Sequence, residues 1–137
     1  MDENCVFCKI VKGDIPSVKL FENDSVLAFL DIMPAAKGHS LVIPKRHHPQ
    51  IIDVPHEDLK EAMLAVQKIG AAQMSALGAD GFNVLQSNGE AAGQVIGHVH
   101  FHVIPRKKGD KLNFSWVQNK EEKEELERYC RLIKEQI

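Results

Sequence analysis

The run "HVHFHVIP", from His98 to Pro105, alternates imidazoles at His98, His100 and His102 with the apolar side chains of Val99, Phe101 and Val103. On a helix, residues two apart point to opposing sides. On a strand, successive side chains take opposite faces, so the three imidazoles share one face and the apolar residues share the other. The chain must therefore build a sheet that turns one apolar face into a core and gathers polar rings on the other. Only seven histidines occur in the 137 residues, so three of them on one strand face speak to chemistry as well as to fold.

A single outward-facing histidine on a half-buried strand would need no explanation, but three do. Two chemistries compete for them. One is a metal site, since imidazole is a common nitrogen ligand and an H-x-H pair on a strand can reach one ion. The other is a row whose central imidazole reacts while its neighbours assist. The preceding loop, "SNGEAAGQVIG", offers Gly89, Gly93 and Gly97, where backbone can come close to a ligand and aim N–H groups at an anion. An ordinary connection could carry the same glycines. Neither a Walker lysine signature nor a G-x-G-x-x-G fingerprint occurs, which removes the main support for ATPase or dinucleotide-redox chemistry.

The rest of the chain supplies partners for the histidine strand. "SVKLFE", the polar turn "ND" and "SVLAFLDI" read as a hairpin, apolar on both faces and so expected to be well covered. "GHSLVIP" is a third strand, stopped by Pro44, and "GFNVLQSN" a fourth. Between Pro55 and Gly78 the period becomes helical, with Leu59, Met63, Val66, Ile69 and Leu77 expected inward and Glu57 and Asp58 in the first turn. From Asn119, read as an N-cap three residues before Glu122, a terminal helix carries Leu126, Tyr129, Cys130, Ile133 and Ile137 in a narrow stripe. The expected fold is α+β: an antiparallel five-stranded sheet with one long helix across it and a C-terminal helix. A single domain over 1–137 is expected, with a core at about 5–106 and an extension carrying the helix at about 119–137.

A net charge of -2 gives no field able to gather polymeric nucleic acid or anionic lipid, so phosphate chemistry would have to come from a local site. The N-terminus, "MDENCVFCKIVKGDIP", has neither the apolar core of a secretory signal nor the ~20 apolar residues of a membrane span, and the expected location is cytoplasmic. Cys5, Cys8 and Cys130 are an odd count containing a C-x-x-C pair, which fits a metal or redox role in a reducing compartment better than disulfides. Cys5 and Cys8 form a two-thiolate claw that two histidines could complete into a tetrahedral structural site. Two reduced thiols without metal are the alternative.

"HVHFHV" has the H-φ-H-φ-H-φ form, φ being apolar. Together with "GEAAGQ", "LAFLDI" and "GHSLVIPKRH" it resembles the histidine-triad (HIT) family, in its bacterial-type, zinc-containing branch of nucleotide-binding hydrolases. The likeness runs in order from about Cys5 to Arg106. It implies hydrolysis at the α-phosphorus of purine nucleoside phosphoramidates or other adenosine monophosphate derivatives, through a covalent nucleotidyl-histidine. His100 would be the nucleophile, His102 would bind the phosphate or aid proton transfer to the leaving group, and His39 matches a further family histidine beside the triad. Asp31 would take the ribose hydroxyls, and Phe7, Ile10, Phe29, Ile32 and Leu41 an apolar slot for the base. Backbone amides around Gly93 and Val95 would hold the phosphoryl oxygens. Ser87 stands where relatives often carry Asn, and Val95 where some carry Ser, which bears on leaving-group preference. The resemblance also implies a structural zinc ion on Cys5, Cys8, His47 and His98, with His48 an adjacent competitor for His47's place, and a homodimer. No metal is implied in bond breaking. The rivals are a dinucleoside polyphosphate hydrolase, a nucleotide-binding or scaffolding protein with incidental activity, and a histidine-strand metalloenzyme.

Overall fold

The structure, a computed structural model, describes residues 1–137. It begins with a short helix, α1 (Val6–Lys12), followed by three strands: β1 (Lys19–Glu22), β2 (Val26–Leu30) and β3 (Ser40–Pro44). The long helix α2 (His56–Leu77) comes next, then β4 (Gly81–Leu85), β5 (Phe101–Arg106) and a terminal helix, α3 (Lys123–Lys134). Single 3-10 turns lie at Ile51–Asp53 and Glu90–Ala92. The five strands form one antiparallel sheet in the order β1-β2-β3-β5-β4.

Alternation divides the sheet into two faces and two cores. Val26 and Ala28 of β2, Val42 of β3 and Phe101 and Val103 of β5 pack with Val54, Ala62, Ala65, Val66 and Ile69 under α2. Leu27, Phe29, Leu41 and Ile43, one residue out of phase, pack instead with Cys5, Phe7, Cys8 and Ile10 of the N-terminal segment. Because both faces of β2 and β3 are covered, these strands read as nearly continuous apolar runs rather than as alternating ones.

Four expectations need correction, and one element adds to them. The first strand is a largely exposed edge, not a well-covered one, since nothing packs outside β1. On α2, Val66 and Ile69 do face inward, but Met63 and Leu77 are exposed, and small residues take the inner face: Ala62, Ala65 and Gly70. A Cβ on Gly70 would lie 2.5 Å from the Phe82 ring, so side chains of Met or Leu size would not fit where helix and sheet come this close. Asp58 is buried in the first turn, where Arg46 reaches it at 2.8 Å. The hydrogen-bonded part of the histidine strand starts at Phe101, because the amide of Val99 donates to the carbonyl of His48 instead of to the sheet. α3 starts after Glu122, with no side-chain cap, rather than at Asn119, and its stripe is exposed. Finally, α1 has no counterpart in the sequence reading. Seven residues are too few to display a period.

Candidate active site

Period two carries the site across three adjacent strands. Leu27 and Phe29 face α1, and Asp31, the next residue in that alternation, emerges just beyond β2. Leu41 and Ile43 face the same way, and so does His39, just before β3. The amide of Asp31 donates to the carbonyl of His39 at 2.9 Å, which holds the two strand ends together. On β5, His102 lies opposite Leu41. The rings form a continuous row: His47 to His98 at 5.1 Å between centroids, His100 to His102 at 5.0 Å, and His102 to His39 at 5.1 Å. Phe7 meets both His98 (5.8 Å) and His100 (5.1 Å) edge to face, filling the step between them.

Backbone carbonyls fix the roles of the first two triad rings. His98 donates its Nε2–H to the carbonyl of Pro44 at 2.8 Å, so its Nδ1 bears the lone pair. His100 donates Nδ1–H to the carbonyl of His98 at 2.7 Å, which leaves Nε2 as its free nucleophilic nitrogen. His39 Nε2 and His102 Nδ1 are 2.9 Å apart. Burial holds all four rings below the ordinary imidazole range. His98 and His102 are pushed down to about 4, and the Asp31 carboxylate partly offsets the fall for His39, His100 and His102.

His100 and His102 line a cavity of about 410 Å³, within the size range of small-molecule sites. Phe7, Ile10, Phe29 and Leu41 are buried and form its apolar floor, and Asp31 is part of the wall. Ile32 and Val95, 88% and 92% exposed, stand at the rim beside Gly93. Gly93 has a φ of +90° and nothing near its missing Cβ, so its backbone conformation, not crowding, calls for glycine. Ser87 does not belong to this wall. Beyond β4 the chain folds on itself, and Asn88 spends its side chain on the Ile51 amide (2.7 Å) and on Gln86.

Val6, Met33 and Ile96 also line the cavity and were not singled out from sequence, because an isolated apolar residue carries no signal of a wall. Gln94 is a more informative omission. Its Oε1 accepts from the Gly89 amide at 2.7 Å, and its Nε2 donates to the carbonyls of Pro49 (2.7 Å) and Ile96 (3.0 Å). It fastens the glycine loop to the segment after β3. A glutamine right after a loop glycine was the available clue.

At the far end of the row, the sulfurs of Cys5 and Cys8 lie 3.4 and 3.6 Å from His98 Nδ1, and Cys8 Sγ is 3.4 Å from His47 Nδ1. Tetrahedral zinc, with bonds of about 2.3 Å to sulfur and 2.0–2.1 Å to nitrogen, would hold such ligands about 3.6 Å apart. The four residues therefore fit a zinc ion, and the lone pair on His98 Nδ1 is oriented for it. Burial pushes the Cys5 thiol up, an effect that a cation at this point would reverse. His47, not His48, belongs to the cluster, and its outer Nε2 is 3.8 Å from Asp2.

The site's likeness extends to known proteins. The HIT domain matches residues 12–109. A protein of Schizosaccharomyces pombe named adenosine 5'-monophosphoramidase hnt1 is 50% identical over 103 residues, 75% of this chain and 74% of that one. The crystal structure of a HIT family member from Bacillus subtilis superposes with a TM-score of 0.92 at 43% identity, covering 98% of each chain. A zinc-bound histidine triad family protein from Mycobacterium smegmatis gives a TM-score of 0.76 at 42% identity over 94% of this chain and 91% of its own. With the domain matched over most of its length and the fold reproduced at this identity, the chain belongs to the HIT family.

Proposed function

We propose that this protein is a hydrolase of adenosine monophosphate derivatives, purine nucleoside phosphoramidates foremost, cleaving at the α-phosphorus through a nucleotidyl-His100 intermediate. One observation carries the reading. His100 is a cavity-lining imidazole whose Nδ1–H is held by a carbonyl at 2.7 Å, and burial keeps its ring neutral, so the Nε2 lone pair is available at physiological pH. In the first step Nε2 bonds to phosphorus as the bond to the leaving group breaks, and in the second, water displaces the imidazole. The buried apolar floor receives the base and Asp31 accepts from the ribose hydroxyls. The amides around Gly93 and Val95, with His102, hold the phosphoryl oxygens as charge shifts onto them. The relatives named adenosine 5'-monophosphoramidase support the substrate class.

Cys5, Cys8, His47 and His98 would hold zinc, which would supply a cross-link between the N-terminal segment and the sheet rather than a step in the reaction. A homodimer is supported by the outer edge of β4, where Phe82, Val84 and Leu85 are exposed, together with Met63 and Leu64 on the outer side of α2. The single domain over 1–137 and the cytoplasmic setting complete the reading; no helix is long and apolar enough to cross a membrane.

His100→Ala tests the assignment. Turnover of an adenosine phosphoramidate should be abolished while circular dichroism stays that of the folded parent; thermal unfolding should fall modestly, because the variant loses one hydrogen bond and the edge-to-face contacts with Phe7 and His102. Appreciable turnover by the folded variant would refute it.

A further inference from the structure

The cavity wall offers an anion no fixed cation. Its ionisable side chains are Asp31, His100 and His102, neither Lys nor Arg reaches it, and burial disfavours charge on both rings. A phosphoryl group entering it must be met by N–H dipoles, whose worth depends on how firmly they are aimed. The glycine loop has few to give. The amides of Ala92 and Gln94 both donate to the carbonyl of Gly89 at 3.1 Å, and that of Gly93 donates to the carbonyl of Glu90 at 2.9 Å. Those of Val95 and Ile96, next along the chain, donate to no group of the protein, and both residues line the cavity.

The side chain just before them sets their placement. Gln94 Nε2 donates to the carbonyl of Ile96 at 3.0 Å, closing a ring around Val95, and gives its second hydrogen to the carbonyl of Pro49 at 2.7 Å. Its Oε1 accepts from the Gly89 amide at 2.7 Å. The ring is thus anchored both to the start of the loop and to the segment between β3 and α2. That segment is itself stitched to the loop's flanks: Asn88 accepts from the Ile51 amide at 2.7 Å, and the Val99 amide donates to the carbonyl of His48 at 2.8 Å. Amides braced in this way need no reordering when an anion arrives.

We propose that Gln94 is a positioning residue of the phosphate site: by bracing the turn from Gln94 to Ile96 it aims the Val95 and Ile96 amides at the α-phosphoryl oxygens. This inference rests on the reading above of adenosine monophosphate derivatives as substrates and narrows the loop amides that meet the phosphate to these two. Gln94 itself does not line the cavity, so its effect passes through the backbone. Leu in its place keeps much of the volume and removes all three side-chain hydrogen bonds. The floor of Phe7, Phe29 and Leu41 lies on other elements and keeps its hold on the base.

Calorimetric titration of the full-length Gln94→Leu variant with adenosine monophosphate and with adenosine separates aim from mere structure. Affinity for the monophosphate should fall about tenfold, the worth of one hydrogen bond to a charged group, while that for adenosine stays within about twofold. On an adenosine phosphoramidate kcat should fall about a hundredfold, as when a preorganised donor is lost. Equal weakening of both ligands, or of neither, would overturn the role. The 15N-labelled parent gives a check that needs no variant. Saturating adenosine monophosphate should move the Val95 and Ile96 amide protons downfield and adenosine should not; resonances that stay in place would overturn it too. A split in affinity without turnover by the parent would sink the hydrolase reading alone, and turnover by the parent without a split in the variant would sink the role of Gln94 alone. A parent that binds no adenosine monophosphate would sink both.

Discussion

At the scale of single residues, the site works by fixing which nitrogen of each imidazole is free. His98 offers Nδ1 to the cysteine sulfurs because the carbonyl of Pro44 takes its other proton, and His100 offers Nε2 because the carbonyl of His98 takes its Nδ1–H. Neighbouring rings of identical chemistry thus present different free nitrogens through main-chain geometry alone. The same burial that shapes the cavity keeps these rings neutral. The sign matters for the proposed activity: protonating His100, the proposed nucleophile, removes its lone pair, and burial lowers the pH at which that happens. The acid limb of kcat/KM should therefore lie below the ~6.5 of a free imidazole. A pH–rate profile on an adenosine phosphoramidate checks this, and an acid limb centred at or above that value would show that the reacting ring is not held neutral by its surroundings.

At the scale of elements, the site depends on α1 being held against the sheet. Phe7 and Ile10 of this seven-residue helix form part of the cavity floor, and such a helix is too short to persist without tertiary support. Cys5 caps it, accepting from the Cys8 amide at 3.4 Å, and the two thiols tie it to His47 and His98. Stoichiometric zinc in the purified protein is the expectation. Its exhaustive chelation should lower the melting temperature and loosen nucleotide binding gradually, as α1 leaves the floor, whereas a catalytic metal would take activity away at once. Metal-free protein with unchanged melting behaviour would contradict the structural role. The sheet, the long helix and the triad face were legible in the sequence because each rests on a period that short-range sterics impose. α1 was not, since the interactions that stabilise it come from residues far away in the chain, His47 and His98 among them. Nor was the exposure of Met63 and Leu77, because periodicity finds the axis of an apolar stripe but not how close the sheet comes. Gly70 against Phe82 decides that. Ser87 was placed by likeness alone, and the turn at Gln86 to Asn88 carries it out of the wall.

At the scale of the whole molecule, the homodimer proposed above would use the apolar surfaces of β4 and α2. The β4 edge presents unpaired main-chain groups, and Met63 and Leu64 of α2 add exposed apolar area, which a two-fold partner could cover with the same surfaces. Sedimentation of the parent protein should give twice the chain mass, and Leu64→Glu with Val84→Lys should give a single chain. A monomeric parent, or a variant that stays dimeric, would place the interface elsewhere. The most direct test of the central claim weighs the molecule during reaction. Rapid acid-free quenching of protein mixed with an adenosine phosphoramidate, followed by intact-mass and peptide spectrometry, should show the chain carrying one adenosine monophosphate, bound through His100. Rapid turnover with no such adduct trapped, or an adduct on any other residue, would contradict the account.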